Sequence, residues 1–131
     1  KDILYSRKKD LFGIINGVDY SIWNPETDKL IPANYSAESL EKKEKNKIAF
    51  ASEFDLKYDK DIPIIGIVSR LVSQKGFDLF FDLFDELIGM DARLVILGNG
   101  DDKYETFFKK LEYFSSGNIK THIGYNNDLA H

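Results

Sequence analysis

The sequence predicts an α/β fold, a Rossmann-like parallel sheet with flanking helices, and three observations carry that prediction. The second half alternates short apolar, β-branched runs with amphipathic helical stretches. The links between successive runs are long enough to be crossovers, which are right-handed between parallel strands in nearly all proteins. No cysteine and no internal repeat points elsewhere, and 131 residues with 43% hydrophobic content can bury a core without disulfides or a structural metal.

Taken in order, Gly13 to Val18 reads as a short strand ending in the turn Asn16-Gly17, and Trp23-Asn24-Pro25 through Ile31-Pro32 as an extended, structured loop. Glu38 to Phe54 reads as a helix. Its charge run, Glu41 to Lys47, mixes both signs and suits a solvated face. Ile62 to Val68 is dense in isoleucine and reads as a strand buried on both faces. Phe77, Phe80, Phe81, Phe84 and Ile88 then mark the inner stripe of an amphipathic helix. Arg93 to Leu97 is a second buried strand. Tyr104, Phe107, Phe108, Leu111 and Phe114 give the stripe of the next helix, and Ile119 to Ile123 completes a βαβαβ run.

Eighteen basic side chains face 22 acidic ones, for a formal charge of -4 and a pI near 5.2. That balance opposes attraction to nucleic-acid phosphates or anionic membrane, so neither is expected as a partner. No apolar run reaches about 18 residues and the first ten residues are highly charged, from which a cytoplasmic protein is expected. The chain opens on Lys1, has Met90 as its sole methionine and stops at His131 just after a strand. It is therefore expected to be a fragment whose sheet continues past the C-terminal side, leaving a free edge open to self-association.

In an open parallel sheet the loops after the strands gather at one edge, where ligands bind. Ser69 to Gly76 holds two cations, Arg70 and Lys75, and Arg70 is one of only three arginines. A planar guanidinium and a compact ammonium leading into a helix N-terminus suit a diphosphate, with no metal required. A solvated loop with a helix-start glycine fits the same spacing. Gly98-Asn99-Gly100-Asp101 allows close backbone approach but is also an ordinary tight turn, with Asp101 and Asp102 suited to capping the following helix. Gly124-Tyr125 ends the third strand with a ring that either stacks on a base or packs on a further element. His122 reads as structural, and His131 supports no assignment. P-loop, nucleophile-elbow, HExxH and EF-hand patterns are all absent.

The segments Gly13-Ile14-Ile15-Asn16-Gly17-Val18-Asp19, Trp23-Asn24-Pro25 with Asp28, and Tyr35-Ser36-Ala37-Glu38 resemble bacterial glycogen synthases and plastid starch synthases. So do Gly66 to Leu71 continuing through Gln74-Lys75-Gly76-Phe77-Asp78-Leu79, Leu97-Gly98-Asn99-Gly100-Asp101, Ile123-Gly124-Tyr125 and Leu129-Ala130-His131. The resemblance runs from about residue 10 to the end. It implies a GT-B glycosyltransferase, with 1–36 an interdomain segment and 37–131 the first part of the C-terminal, nucleotide-sugar-binding domain. The implied reaction is transfer of glucose from ADP-glucose, or UDP-glucose in some members, to the non-reducing end of an α-1,4-glucan with retention.

Carried over residue by residue, Arg70 and Lys75 are implied to hold the distal phosphates and stabilise the leaving diphosphate. Gly124 and Tyr125 are implied to meet the adenine, Gly98 and Gly100 to lie near the nucleoside, and Asn16 near the transferred sugar. No metal or other cofactor is implied. An N-terminal domain and the rest of the C-terminal domain are missing, so the fragment alone is expected to be inactive. Asn126-Asn127-Asp128 departs from the family pattern, which often has acidic residues after the tyrosine. A sucrose-phosphate-synthase relative would share the Arg70 and Lys75 loop but lack the segments at 16–19 and 23–25. A non-catalytic α/β interaction module is the alternative of a different class.

Overall fold

A computed structural model describes residues 2–131. It opens with a short helix, α1 (Asp2–Ser6), and a 3-10 turn, Lys8–Asp10. From Leu11 to residue 19 the chain is exposed and has no regular structure, with no strand partner among the described residues. The strand expected at Gly13 to Val18 is therefore absent: its apolar side chains, Ile14 and Ile15 among them, meet no second strand against which to pair.

Ser36 opens the first long helical stretch, its hydroxyl accepting from the Glu38 N–H while the Ser39 hydroxyl accepts from the Ser36 N–H. A 3-10 segment, Ala37–Lys42, leads into α2 (Lys43–Glu53). After it come β1 (Ile64–Val68), a 3-10 turn at Ser73–Lys75, a longer 3-10 helix at Phe77–Leu83, and α3 (Phe84–Gly89). Then follow β2 (Arg93–Gly98), α4 (Asp102–Phe114), β3 (Ile119–Ile123) and the single turn α5 (Asn127–Ala130).

The strands form one parallel sheet in the order β1-β2-β3, with Ile67 beside Ile96 and Ile96 beside Thr121. Alternation along β2 sorts the core into two layers. Leu94 and Ile96 face Phe77, Tyr104, Phe108 and Leu111 from both crossover stretches, while Val95 faces Ala51 and Leu56 on the side of α2. The largest fully buried side chains, Tyr104 and Phe108, sit in the first layer and lie edge-on or tilted to Phe77 at 5.9 and 5.5 Å between ring centroids. Burial of one such ring is worth roughly 1.5–3 kcal/mol.

Three expectations need correcting. β1 begins at Ile64 and is not buried on both faces: as an edge strand it has one neighbour, and Ile65 and Val68 are exposed. The stretch 77–88 keeps its aromatic stripe, but winds as a 3-10 helix before becoming α-helical at Phe84, with the break at Leu83 (φ -110°, ψ 21°). Phe114 ends the α4 stripe in solvent, touching Phe84 only edge-on at 6.0 Å. No helix among the described residues is long and apolar enough to cross a membrane.

Candidate functional site

Beyond the C-terminal ends of the strands, the backbone continues the ladder without being strand. The Ser69 N–H donates to the Leu97 carbonyl at 3.1 Å, the Leu71 N–H to Asn99 at 2.9 Å, and the Asp101 N–H back to Leu71 at 2.9 Å. On the other side the Gly124 N–H donates to Gly98 at 3.0 Å. Residues 69–71, 98–101 and 124 thus lie side by side as a shelf, in the order of the strands that feed them.

Arg70 stands on this shelf between Ser69 and Leu71, and Leu71 is wholly buried in the main core. A tight link from the Val72 N–H to the Arg70 carbonyl (3.0 Å) turns the chain into the 3-10 turn that ends at Lys75. Gly76 follows with φ 78°, a left-handed conformation that a β-carbon resists, and it lets the chain leave Lys75 for the next helix. Arg70 and Lys75 are both exposed, and neither has a carboxylate within ion-pair distance among the described residues. Tyr125, 85% exposed, stands next to Gly124, its hydroxyl reaching only as far as Asn127 at 3.5 Å.

The helix start after Gly76 contributes less positive charge than its position suggests. It is a 3-10 helix with Asp78 in its first turn, and that carboxylate accepts from Lys103 and from the Tyr104 hydroxyl, each at 2.8 Å. Lys103, which also lies 4.4 Å over the Tyr104 ring, holds the Asp78 pKa below its usual value, with Tyr104 adding to the effect. The network ties the start of this helix to α4. Arg70 supplies a cation on the shelf itself, and Lys75 one in the 3-10 turn that follows it.

The expected cap residues act differently from what their positions suggest. Asp101 precedes α4 but makes no side-chain cap bond; instead Glu105 reaches back to the Gly100 N–H at 3.0 Å. Asn126 caps α5 by accepting from the Leu129 N–H at 3.1 Å, which gives the first residue of the departing Asn126-Asn127-Asp128 triplet a local structural role.

Asn16 is not brought to the shelf by any hydrogen bond. It sits in the exposed extended segment, and its side chain has no hydrogen-bond partner among the described residues. A cavity of about 780 Å³ also lies elsewhere, on the α2 side of the sheet between Phe50, Ile64, Gly66, Val68 and Leu129. Neither Arg70, Lys75 nor Tyr125 lines it. Among the described residues no group of three or more His, Cys, Asp or Glu side chains is arranged to hold a metal ion.

One cluster escaped sequence reasoning. The His131 Nδ1 lies 2.7 Å from Asp28 Oδ2, the two side chains being only 4% and 9% exposed, and the His131 ring stacks on Trp23 at 4.0 Å and 15°. Asp28 is held below the usual carboxylate range, first by the Leu30 N–H and then by His131. Asn46 on α2 adds a two-way pairing with the Ala33 backbone, both bonds 2.8 Å. Residues 23–36 are therefore clamped to the α/β unit. Pairing over a separation of 103 residues leaves no local signal in sequence.

No family model matches the chain. A glycogen synthase of Thermosipho melanesiensis is 41% identical to it over 128 residues, and that of Kosmotoga olearia 48% identical over 120. These alignments cover 98% and 92% of this chain but 27% and 25% of those proteins, so the chain spans about a quarter of the length of the curated relatives it matches. Among solved structures, the catalytic domain of starch synthase IV from Arabidopsis thaliana, bound to ADP and acarbose, superposes with a TM-score of 0.86 at 29% identity. That match covers 99% of this chain and 27% of the other.

Proposed function

We propose that this chain, similar in sequence to glycogen synthases and in fold to a starch synthase over the segment it spans, is the donor-binding part of such an enzyme. The whole protein transfers glucose from ADP-glucose to the non-reducing end of an α-1,4-glucan, with retention, in the cytoplasm. The observation that carries this reading is the shelf itself: two exposed cations, without carboxylate partners among the described residues, on a loop bonded to the end of β2, to which Gly124, the neighbour of Tyr125, is bonded from the other side. The ADP in the starch synthase relative supports a nucleotide diphosphate as its ligand.

Chemically the arrangement suits the departure of a diphosphate. Negative charge grows on the leaving phosphates as the glycosidic bond breaks, and Arg70 and Lys75 meet it with charge already in place, so the reading assigns no metal and no other cofactor. The Arg70 guanidinium offers two parallel N–H donors, and Lys75 a point charge. Gly124 and Tyr125 are read as the adenine contact, the ring stacking on the base, and Asn16 as a contact to the transferred sugar. Asn16 needs the exposed segment to be placed by parts of the protein outside this chain. The N-terminal domain and the remainder of the C-terminal domain would close the open shelf into a cleft, which agrees with relatives about four times longer.

The test is made on the full-length protein. ADP is expected to raise the unfolding temperature as RT ln(1 + [L]/Kd) requires. Arg70→Ala and Lys75→Ala are expected to reduce that shift, and glucosyl transfer is expected to be faster with ADP-glucose than with UDP-glucose. An unchanged ADP shift in both variants would remove the phosphate assignment. No transfer from either donor to glycogen would remove the reaction.

A further inference from the structure

Gly98 and Gly100 are held to glycine by the chain itself. A β-carbon at Gly98 would stand 1.9 Å from the Ser69 carbonyl oxygen, and one at Gly100 would stand 2.1 Å from the Leu71 carbonyl oxygen and 2.9 Å from the Leu71 Cα. Both obstacles are main chain, so no change of rotamer relieves them. The segment on either side of Arg70 is laid directly across the bare end of β2. It is fastened there by the Leu71 N–H to Asn99 and the Asp101 N–H to Leu71, both 2.9 Å, and by the buried Leu71 side chain.

Ser69 and Leu71 are therefore each fixed by main-chain contact, and Arg70 between them is free only in its side chain. We propose that Gly98 and Gly100 are positioning residues for the phosphate end of the nucleotide: they form a saddle that sets Arg70 in place before the ligand arrives. A loop ordered in advance spares the ligand the entropy of ordering it. This assigns the two glycines to the diphosphate rather than to the nucleoside, and it rests on reading Arg70 as a phosphate ligand.

The experiment uses the full-length protein, with calorimetric binding of ADP, AMP and adenosine to the wild type, Gly100→Ala, Arg70→Ala and the double variant. Gly100→Ala is expected to weaken ADP by about tenfold or more, the size of one lost charge-assisted hydrogen bond. Adenosine should stay within about twofold, since positioning acts on the phosphates alone. The double variant should bind ADP no more weakly than Arg70→Ala. Equal loss for all three ligands in Gly100→Ala, or wild-type binding of ADP, would overturn the saddle. Wild-type ADP affinity in Arg70→Ala would instead overturn the phosphate reading beneath it, and the variant that shows the failure tells the two apart. Should Gly100→Ala fail to fold, amide exchange of the ligand-free wild type decides: the Leu71 and Asp101 amides should be protected without ADP. Protection that appears only on adding ADP would mean the ligand orders the loop, and the proposal would fall.

Discussion

At Arg70 and Lys75, function and stability separate. Both side chains are solvent-exposed and without carboxylate partners among the described residues, so truncating either leaves no buried group unsatisfied. Arg70→Ala or Lys75→Ala is expected to cost on the order of 10²–10³ in turnover in the full-length protein, the usual toll for a preorganised donor to a developing anion. The urea midpoint should move by no more than about 0.5 kcal/mol equivalent. Gly76 is the opposite case. Its φ of 78° makes Gly76→Ala strained by about 1–2 kcal/mol, although the new methyl would meet only the Leu79 Cδ1, at an unstrained 3.9 Å, and a lowered urea midpoint with unchanged slope would register it. Local chemistry of this kind is legible in sequence: a cation pair and a glycine in a strand-end loop point to a shelf and a turn. The clash across Gly98 and Gly100 is not, because it is made by a loop nearly 30 residues earlier in the chain.

Among the elements, periodicity places the last two strands closely. β3 lies at Ile119–Ile123 as its apolar run predicts, and β2 extends the predicted strand by one residue, to Gly98. β1 was legible as a strand but not as an edge, since its isoleucines look the same whether or not another strand pairs with them. The first half was least legible. Ile14 and Ile15 look like a strand, but a strand needs a partner, and none is supplied within the described residues. The stripe of α4 names its own key residue. Phe108 is fully buried and packs edge-on against Phe77, Phe80 and Phe107 at 5.4 to 5.7 Å. Phe108→Ala is expected to cost roughly 3–5 kcal/mol, whereas Tyr113→Ala on the exposed side of the same helix should cost almost nothing, as paired urea titrations would show.

For the whole molecule, the joint between residues 23–36 and the α/β unit is a feature that responds to pH. The Asp28 carboxyl is held below its usual value, so it binds fewer protons folded than unfolded. Its contribution is complete above the ordinary aspartate pKa, about 3.9, and is lost as pH falls through the depressed folded value. Asp28→Asn is therefore expected to lower stability near neutral pH and to flatten the loss on acidification, which thermal unfolding between pH 2 and about 6 would measure. A wild-type slope in Asp28→Asn would show that the pair contributes nothing. The open side of β1, with Val68 60% exposed, predicts that the 131-residue polypeptide self-associates; a single monomer peak in size-exclusion chromatography at all concentrations would refute this.

The ring contact at that joint also makes the polypeptide its own optical reporter. Trp23 is the sole tryptophan, so every indole photon from these 131 residues originates at the spot where the segment 23–36 meets His131. Detachment of the segment takes the stacked indole into water and should therefore appear as a red-shifted spectrum, before circular dichroism registers any loss of helix. Such a record would show in real time whether this strap lets go while the sheet beneath it is still intact.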